Sequence, residues 1–350
     1  MRSSSRPILP AAFAALLLLG ACTGDGEEPP GPVAQAAEQD PEDNPEPAPD
    51  WCPLTGTDPA SGVDVARPAV AVKIENSPSA RPQSGLEHAD LVFEERVEGG
   101  ITRFLAIYHC GGSTKAGPVR SGRFDDPKIA LPFTRLLAAS GSNAIVEGEM
   151  NKRKMLYLDE DSTDALFRDP PGFISIHSLF VNTKKLLKTA IGEKLPPPSY
   201  DAFKFGPVGS NAKTARSVTL NFTESNTIEY RWTRGSWQRF EAGAPFMTAA
   251  GEQISVPNVL VQQVKVDNSD SIVDSTGSPS PDLALEDAKG KLLLFRDGKV
   301  IKGRWSMGPA GRVPVYRDRN GEPLTFAEGP TWVELVPSKA GEVKGAVTFD

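Results

Sequence analysis

EERVEGGITRFLAIYHCGGSTKAGPVRSGR, residues Glu94–Arg123, is the stretch that decides the fold. Glu94, Glu95 and Glu98 lead into Gly99-Gly100, and Thr102-Arg103 opens an apolar run from Phe104 to Tyr108. Arg103 to Cys110 reads as a strand, and Asp90 to Glu94, DLVFE, as the strand before it. The stretch closes on Gly117-Pro118 and two arginines, Arg120 and Arg123. Charge pressed against buried strand is costly unless it is paired, so a site or an ion-pair network is expected here.

Working outward, Pro68 to Ile74, PAVAVKI, is a further strand that turns at Glu75-Asn76-Ser77-Pro78. A polar loop, SARPQSG, follows with Arg81 and Gln83, and Leu86 to Ala89 has room for one helical turn. Asp125-Asp126-Pro127 starts a helix that Pro132 keeps short. Thr134 to Ser140 reads as a buried strand. Ser178 to Ile191 has amphipathic helical spacing, with Gly192 as its stop. Beyond Leu195-Pro196-Pro197-Pro198 the texture changes to alternating strands, SVTLNF, TIEYRW and NVLVQQVKV among them. KLLLFRDGKVIKGRW is a hairpin on a type I′ Asp297-Gly298 turn. Ser269 to Asp282 reads as a mobile loop, and Thr331 to Val336, TWVELV, as the last strand.

The first fifty residues are of another kind. Arg2 and Arg6 precede an apolar run, Ile8 to Leu19, which is too short to span a bilayer. It ends Leu19-Gly20-Ala21-Cys22, the pattern of a bacterial lipobox, so 1–21 is expected to be a signal peptide and Cys22 the lipidated first residue. Residues 22–50 are acidic and Pro-rich and cannot bury enough surface to fold. As a coil they would hold the body about 30 Å from the membrane. The expected location is the outer face of the cytoplasmic membrane.

The net charge of −7 belongs to the first fifty residues. Setting aside Arg2, Arg6 and the nine acids from Asp25 to Asp50 leaves 36 basic and 36 acidic residues. A neutral body argues against nucleic acid as a partner. With Cys22 used by lipid, Cys52 and Cys110 remain as an even pair in an oxidising space and are expected to form a disulfide. Closing that loop would contribute roughly 3–4 kcal/mol. The alternative is two unpaired thiols.

AVKIENSPSARPQSGLEHADLVFEERVEGGITRFLAIY followed by GPVRSGR is similar to the N-terminal domain of the YerB-like bacterial lipoproteins. NVLVQQVKV, KLLLFRDGKVIKGRW and GPTWVELV resemble that family's C-terminal domain, and the likeness covers most of residues 51–340. The resemblance implies an α/β (α+β) protein, a layered sandwich of mixed sheets with helices at 51–198 and a mostly antiparallel β domain at 215–340. It implies no reaction and carries no catalytic residues. FISIHSLFVN departs from the family's Pro-His-Asn run, so only His177 matches.

The candidate ligand-binding residues are Asn76, Arg81, Gln83, Asp90, Glu94, Glu98, Arg103, Arg120, Arg123 and His177. Two guanidinium forks at Arg120 and Arg123 suit a carboxylate or phosphate, both abundant in a cell wall. Glu94, Glu98 and Asp90 could instead supply the paired carboxyls of a glycan hydrolase, with His177 as a helper base. Against both stands a purely structural Glu–Arg network, the reading these residue types favour. No G-x-S-x-G, S-x-x-K, H-E-x-x-H or nucleotide fingerprint occurs, and the three histidines lack ligand spacing, so no metal or cofactor is expected. The leading expectation is a lipid-anchored envelope protein binding a wall component or a wall-assembly protein through a Glu/Arg-lined groove. Peptidoglycan or wall-glycan hydrolysis is the alternative.

Overall fold

The computed structural model describes residues 47–350 apart from 225 and 275–276, together with the backbone but not the side chain of residue 270. The leader, Cys22 and nearly all of the linker lie outside the described residues. The described part forms one unit. It is a sheet-rich α+β fold, and among the described residues its α-helices are α1 (Asp126–Ala130), α2 (Ala144–Lys152) and α3 (Thr183–Gly192).

Its frame is a 12-stranded mixed sheet drawn from both halves of the chain. The N-terminal half supplies β1 (Val70–Glu75), β2 (Leu91–Arg96) and β3 (Thr102–Tyr108), with β4 (Leu136–Ala138) and β5 (Leu156–Leu158) at one end. β3 lies between β1 and β2, antiparallel to both. Thr331–Pro337 then runs parallel between β2 and Asn258–Val273, pairing Leu91 with Thr331 and Leu260 with Val333. The hairpin Ala288–Arg296 and Lys299–Met307 continues the sheet, and its turn residues Asp297 and Gly298 have φ of 52° and 64°, as a type I′ turn requires.

All six residues of β1 and all seven of β3 are buried, because both faces of this sheet are covered. Side chains alternate between two cores. Val70, Val72, Phe104, Ala106 and Trp332 belong to one, which a six-stranded antiparallel sheet closes with Leu220, Tyr230 and Trp237. Ala71, Leu105, Ile107 and Val333 belong to the other, capped by Ile129 of α1, Val146 and Met150 of α2, and Phe203. The same alternation sends Glu94 to the first side and Glu95 to the second.

Several elements differ from the sequence reading. Ser178–Ile191 is not one helix: Leu179–Val181 is a strand paired with Leu166–Arg168, and α3 starts only after Asn182. The Asn182 side chain accepts from the backbone N–H groups of Lys184 and Lys185, a cap that fixes the start. Lys194, at φ 53°, takes the left-handed position expected of Gly192. α2 was not anticipated; only Val146 and Met150 of it are buried, so its apolar periodicity is weak. The expected loop at 269–282 is largely ribbon, since Asn258–Val273 pairs with Pro279–Ala284. The last strand is Ala346–Phe349, which pairs with Ser217–Thr223, rather than TWVELV.

Cys52 and Cys110 are joined in a disulfide across 58 residues, tying the segment ahead of β1 to the end of β3. Replacing both by serine should cost roughly 4 kcal/mol in urea unfolding. Two titratable thiols in the oxidised, denatured wild-type body would contradict the bridge.

Candidate functional site

The ten candidate residues do not meet in one place. They fall into two ion clusters on opposite faces of the large sheet, with Asp90 and His177 apart from both.

The first cluster surrounds Arg239, on the strand Ser236–Glu241 of the six-stranded sheet. Glu94 of β2 stands in register with Glu334 on the adjacent parallel strand, so two carboxyls lie side by side inside the protein. Like charges so placed repel, and burial disfavours ionisation of either. Burial holds Glu94 well above the usual carboxylate range and raises Glu334 too, while the Arg239 guanidinium opposes both shifts. Arg239 is 2.8 Å from Glu94, 3.0 Å from Glu241 and 3.3 Å from Glu334, with no exposed surface of its own. Phe246, Trp332 and Phe104 place ring centroids 4.8, 5.1 and 5.4 Å from its central carbon. Tyr230 donates to Glu334, and Thr102 donates to Glu94. Asn76 donates to Glu94, Thr102 and Glu241, and its side-chain carbonyl accepts from Gln83 and Arg81. Arg81, with a quarter of its side chain exposed, pairs with Glu241 at the rim.

The second cluster lies on the other face. Glu75, Arg103 and Glu95 are cross-strand neighbours, Glu75 opposite Arg103 on β1 and β3, and Glu95 opposite Arg103 on β2 and β3. Arg103 Nε is 3.9 Å from Glu75, and its Nη1 donates to the Ser121 carbonyl. Arg120 pairs with Glu75, while Arg123 donates to Glu98, 2.6 Å away. Gly99 and Gly100, both at positive φ, make the turn after Glu98, and Ser280 also donates to that carboxylate. Burial and the neighbouring Arg123 push Arg103 down to about 10, and its buried Nε has no hydrogen-bond acceptor. Arg96 likewise has Nε and Nη1 buried without acceptors. Arg103 is 4% exposed, but the Arg120 and Arg123 side chains are 22% and 17% exposed and reach solvent.

Beside this row Lys73 is fully buried and bonds Glu95 and Asp126 of α1. Burial pushes Glu95 up to about 8. This trio holds α1 against the sheet.

Asp90 serves the backbone. Its carboxylate accepts from the N–H groups of His109 and Gly111, bracing the turn where Cys110 bonds Cys52. A side chain at 111 would meet the His88 carbonyl, with a Cβ only 2.2 Å away. His177 sits beside Ser79, with Nε2 3.1 Å from the hydroxyl. Among the described residues no three His, Cys, Asp or Glu side chains gather to hold a metal, and no helix is long and apolar enough to cross a membrane.

Arg239, Glu241, Glu334, Tyr230, Lys73, Glu95 and Asp126 were not among the sequence candidates. The available signal was a charge inside an otherwise apolar strand, as in VKI at 72–74 and VEL at 333–335.

Residues 54–195 match the family described as "Protein of unknown function (DUF3048) N-terminal domain", and residues 218–333 match its C-terminal domain. A curated relative, "Putative lipoprotein YerB" of Bacillus subtilis (strain 168), is 29% identical over 299 residues, covering 81% of this chain and 86% of that protein. The crystal structure of YerB protein from Bacillus subtilis superposes with a TM-score of 0.68 at 26% identity, covering 85% of this chain and 98% of that one.

Arg239→Met should lose about 3–5 kcal/mol in urea unfolding, because it leaves buried carboxyls without their cation. Adding Glu94→Gln should restore part of the loss; no recovery would remove Glu94 from the network. A second expectation concerns pH. Burial raises Asp90 from 3.8 to about 6. Its contribution to stability is therefore full below pH 4 and is lost as pH rises through 6. Relative to wild type, Asp90→Asn should gain about 2–3 kcal/mol between pH 4 and pH 7. A difference that does not change with pH would contradict this.

Proposed function

The chain belongs to the YerB-like family built from the DUF3048 N- and C-terminal domains, and from that premise we propose a lipid-anchored envelope protein that binds an anionic wall component without cleaving it. Cys22 would be the anchor on the outer face of the membrane, with residues 22–50 as a spacer. Residues 51–198 and 215–340 are then two sequence domains built on one shared sheet.

The charge imbalance of the second cluster carries this reading. Arg103, Arg120 and Arg123 share the two carboxylates Glu75 and Glu98, leaving one cation in excess and Arg103 Nε without an acceptor. The carboxylates are 2% and 6% exposed, while Arg120 and Arg123 face outward. A phosphate or stem-peptide carboxylate at that edge would accept charge-assisted bonds. Glu94, the leading acid of a hydrolase reading, is 1% exposed and shared among Arg239, Thr102 and Asn76. Such shielding favours binding over bond cleavage.

In pull-downs with purified sacculi, wild type should be retained and Arg120→Ala/Arg123→Ala should bind about tenfold more weakly, as loss of charge-assisted hydrogen bonds implies. Equal retention, or none by either, would overturn the proposal. Muropeptides released by wild type and absent with Glu98→Gln would favour the hydrolase.

A further inference from the structure

Away from both ion clusters, a cavity of about 580 Å³ opens between the end of β3 and α3. Arg67, Lys184 and Lys188 line it, with Val70, Leu187 and Ile191 as its apolar wall. No Asp or Glu is among its lining residues. In a body whose acids and bases balance, three cations around one apolar pocket without a lining carboxylate is a local excess. Lys184 and Lys188 are one turn apart on α3 and exposed, and among the described residues neither forms an ion pair, unlike neighbouring Lys185, which holds Asp164. Arg67 is fixed: its Nε donates to the His109 carbonyl at 2.9 Å and its Nη2 to the Cys110 carbonyl. Burial drives His109 down to about 4, so it adds no charge at neutral pH. Asp90 and Asp64 attract Arg67 from outside the lining while accepting backbone N–H groups, Asp90 from His109 and Gly111 and Asp64 from Ala66. Glu87 lies 3.9 Å from the lining His88. Lys184 and Lys188 have no such partner among the described residues.

We propose that this pocket binds a single anionic amphiphile, a phosphate monoester with a hydrocarbon chain. Arg67, Lys184 and Lys188 would hold the head and Val70, Leu187 and Ile191 would cover the chain. Three cations suit a doubly charged phosphate better than a lone carboxylate. Half of Ile191 lies open at the mouth, where a chain would bury it. This site shares no residue with the Arg120/Arg123 edge, so either reading can fail alone.

The test is calorimetric titration of the full-length protein carrying Cys22→Ala, so that no lipid of its own competes. The probes are octyl phosphate below its micellar concentration, inorganic phosphate, and vesicles containing phosphatidylglycerol. Octyl phosphate should bind at least tenfold more tightly than inorganic phosphate. Lys184→Glu/Lys188→Glu should weaken that binding at least tenfold with an unchanged urea midpoint, and Arg120→Ala/Arg123→Ala should leave it intact. Should the double reversal unfold the protein, Lys188→Gln is expected to lose about fivefold. Failure of octyl phosphate to bind, equal affinity in the lysine variants, or binding to vesicles alone would overturn the proposal.

Discussion

One buried cation ties the six-stranded sheet to the large one. Arg239 belongs to the six-stranded sheet, and its carboxylate partners sit on three different strands: Glu94 on β2, Glu334 on the strand beside it, and Glu241 on its own. Two of those carboxyls are forced into register by the parallel pairing that builds the large sheet. The repulsion they create is offset by a guanidinium delivered from the facing sheet, helped by hydrogen bonds from Tyr230, Thr102 and Asn76. Strand pairing, sheet packing and ion pairing are therefore one constraint. Removing the cation leaves its neighbours charged and dry, or protonated against their ordinary preference.

The opposite face of the same strands follows a different rule. Lys73 is neutralised internally, whereas three arginines share the two carboxylates Glu75 and Glu98. A single residue step along β2, from Glu94 to Glu95, moves a carboxyl from one network to the other, because side chains in a strand alternate. The density of charge in Glu94–Arg123 thus reflects two faces loaded independently. Both networks are anchored on backbone whose alternate apolar side chains fill the cores, so the charges are held by packing as much as by one another.

Much of the frame was legible in the residues. Apolar β-branched runs bounded by turns identified β1, β2 and β3, and Asp297-Gly298 identified a hairpin because two adjacent positive φ values tolerate few residues. The disulfide followed from cysteine arithmetic and compartment. Leu179–Val181 misled because a short apolar run fits a helix and a strand equally well, and only its pairing with Leu166–Arg168 decides. The candidate site was half legible. Glu94 and the Glu98–Arg123 pair share one stretch of chain, but Arg239 is more than a hundred residues away and its strand, SWQRFE, looks like an ordinary half-exposed one. No local pattern announces which charge on such a strand faces a carboxylate pair across a core.

The strand Thr331–Pro337 enters between β2 and Asn258–Val273, joining β2 some 240 residues after it in the chain. A chain handed across a membrane N-terminus first would expose β2 as an unclosed, apolar edge until almost the whole polypeptide had emerged. Such a long-range closure is slow and aggregation-prone by nature. Folding of a chain translocated in that direction would then be a race between the arrival of its own last central strand and capture of the open edge by a neighbour. Delivering each chain on a membrane tether, spaced apart from its siblings, would tilt that race toward self-completion.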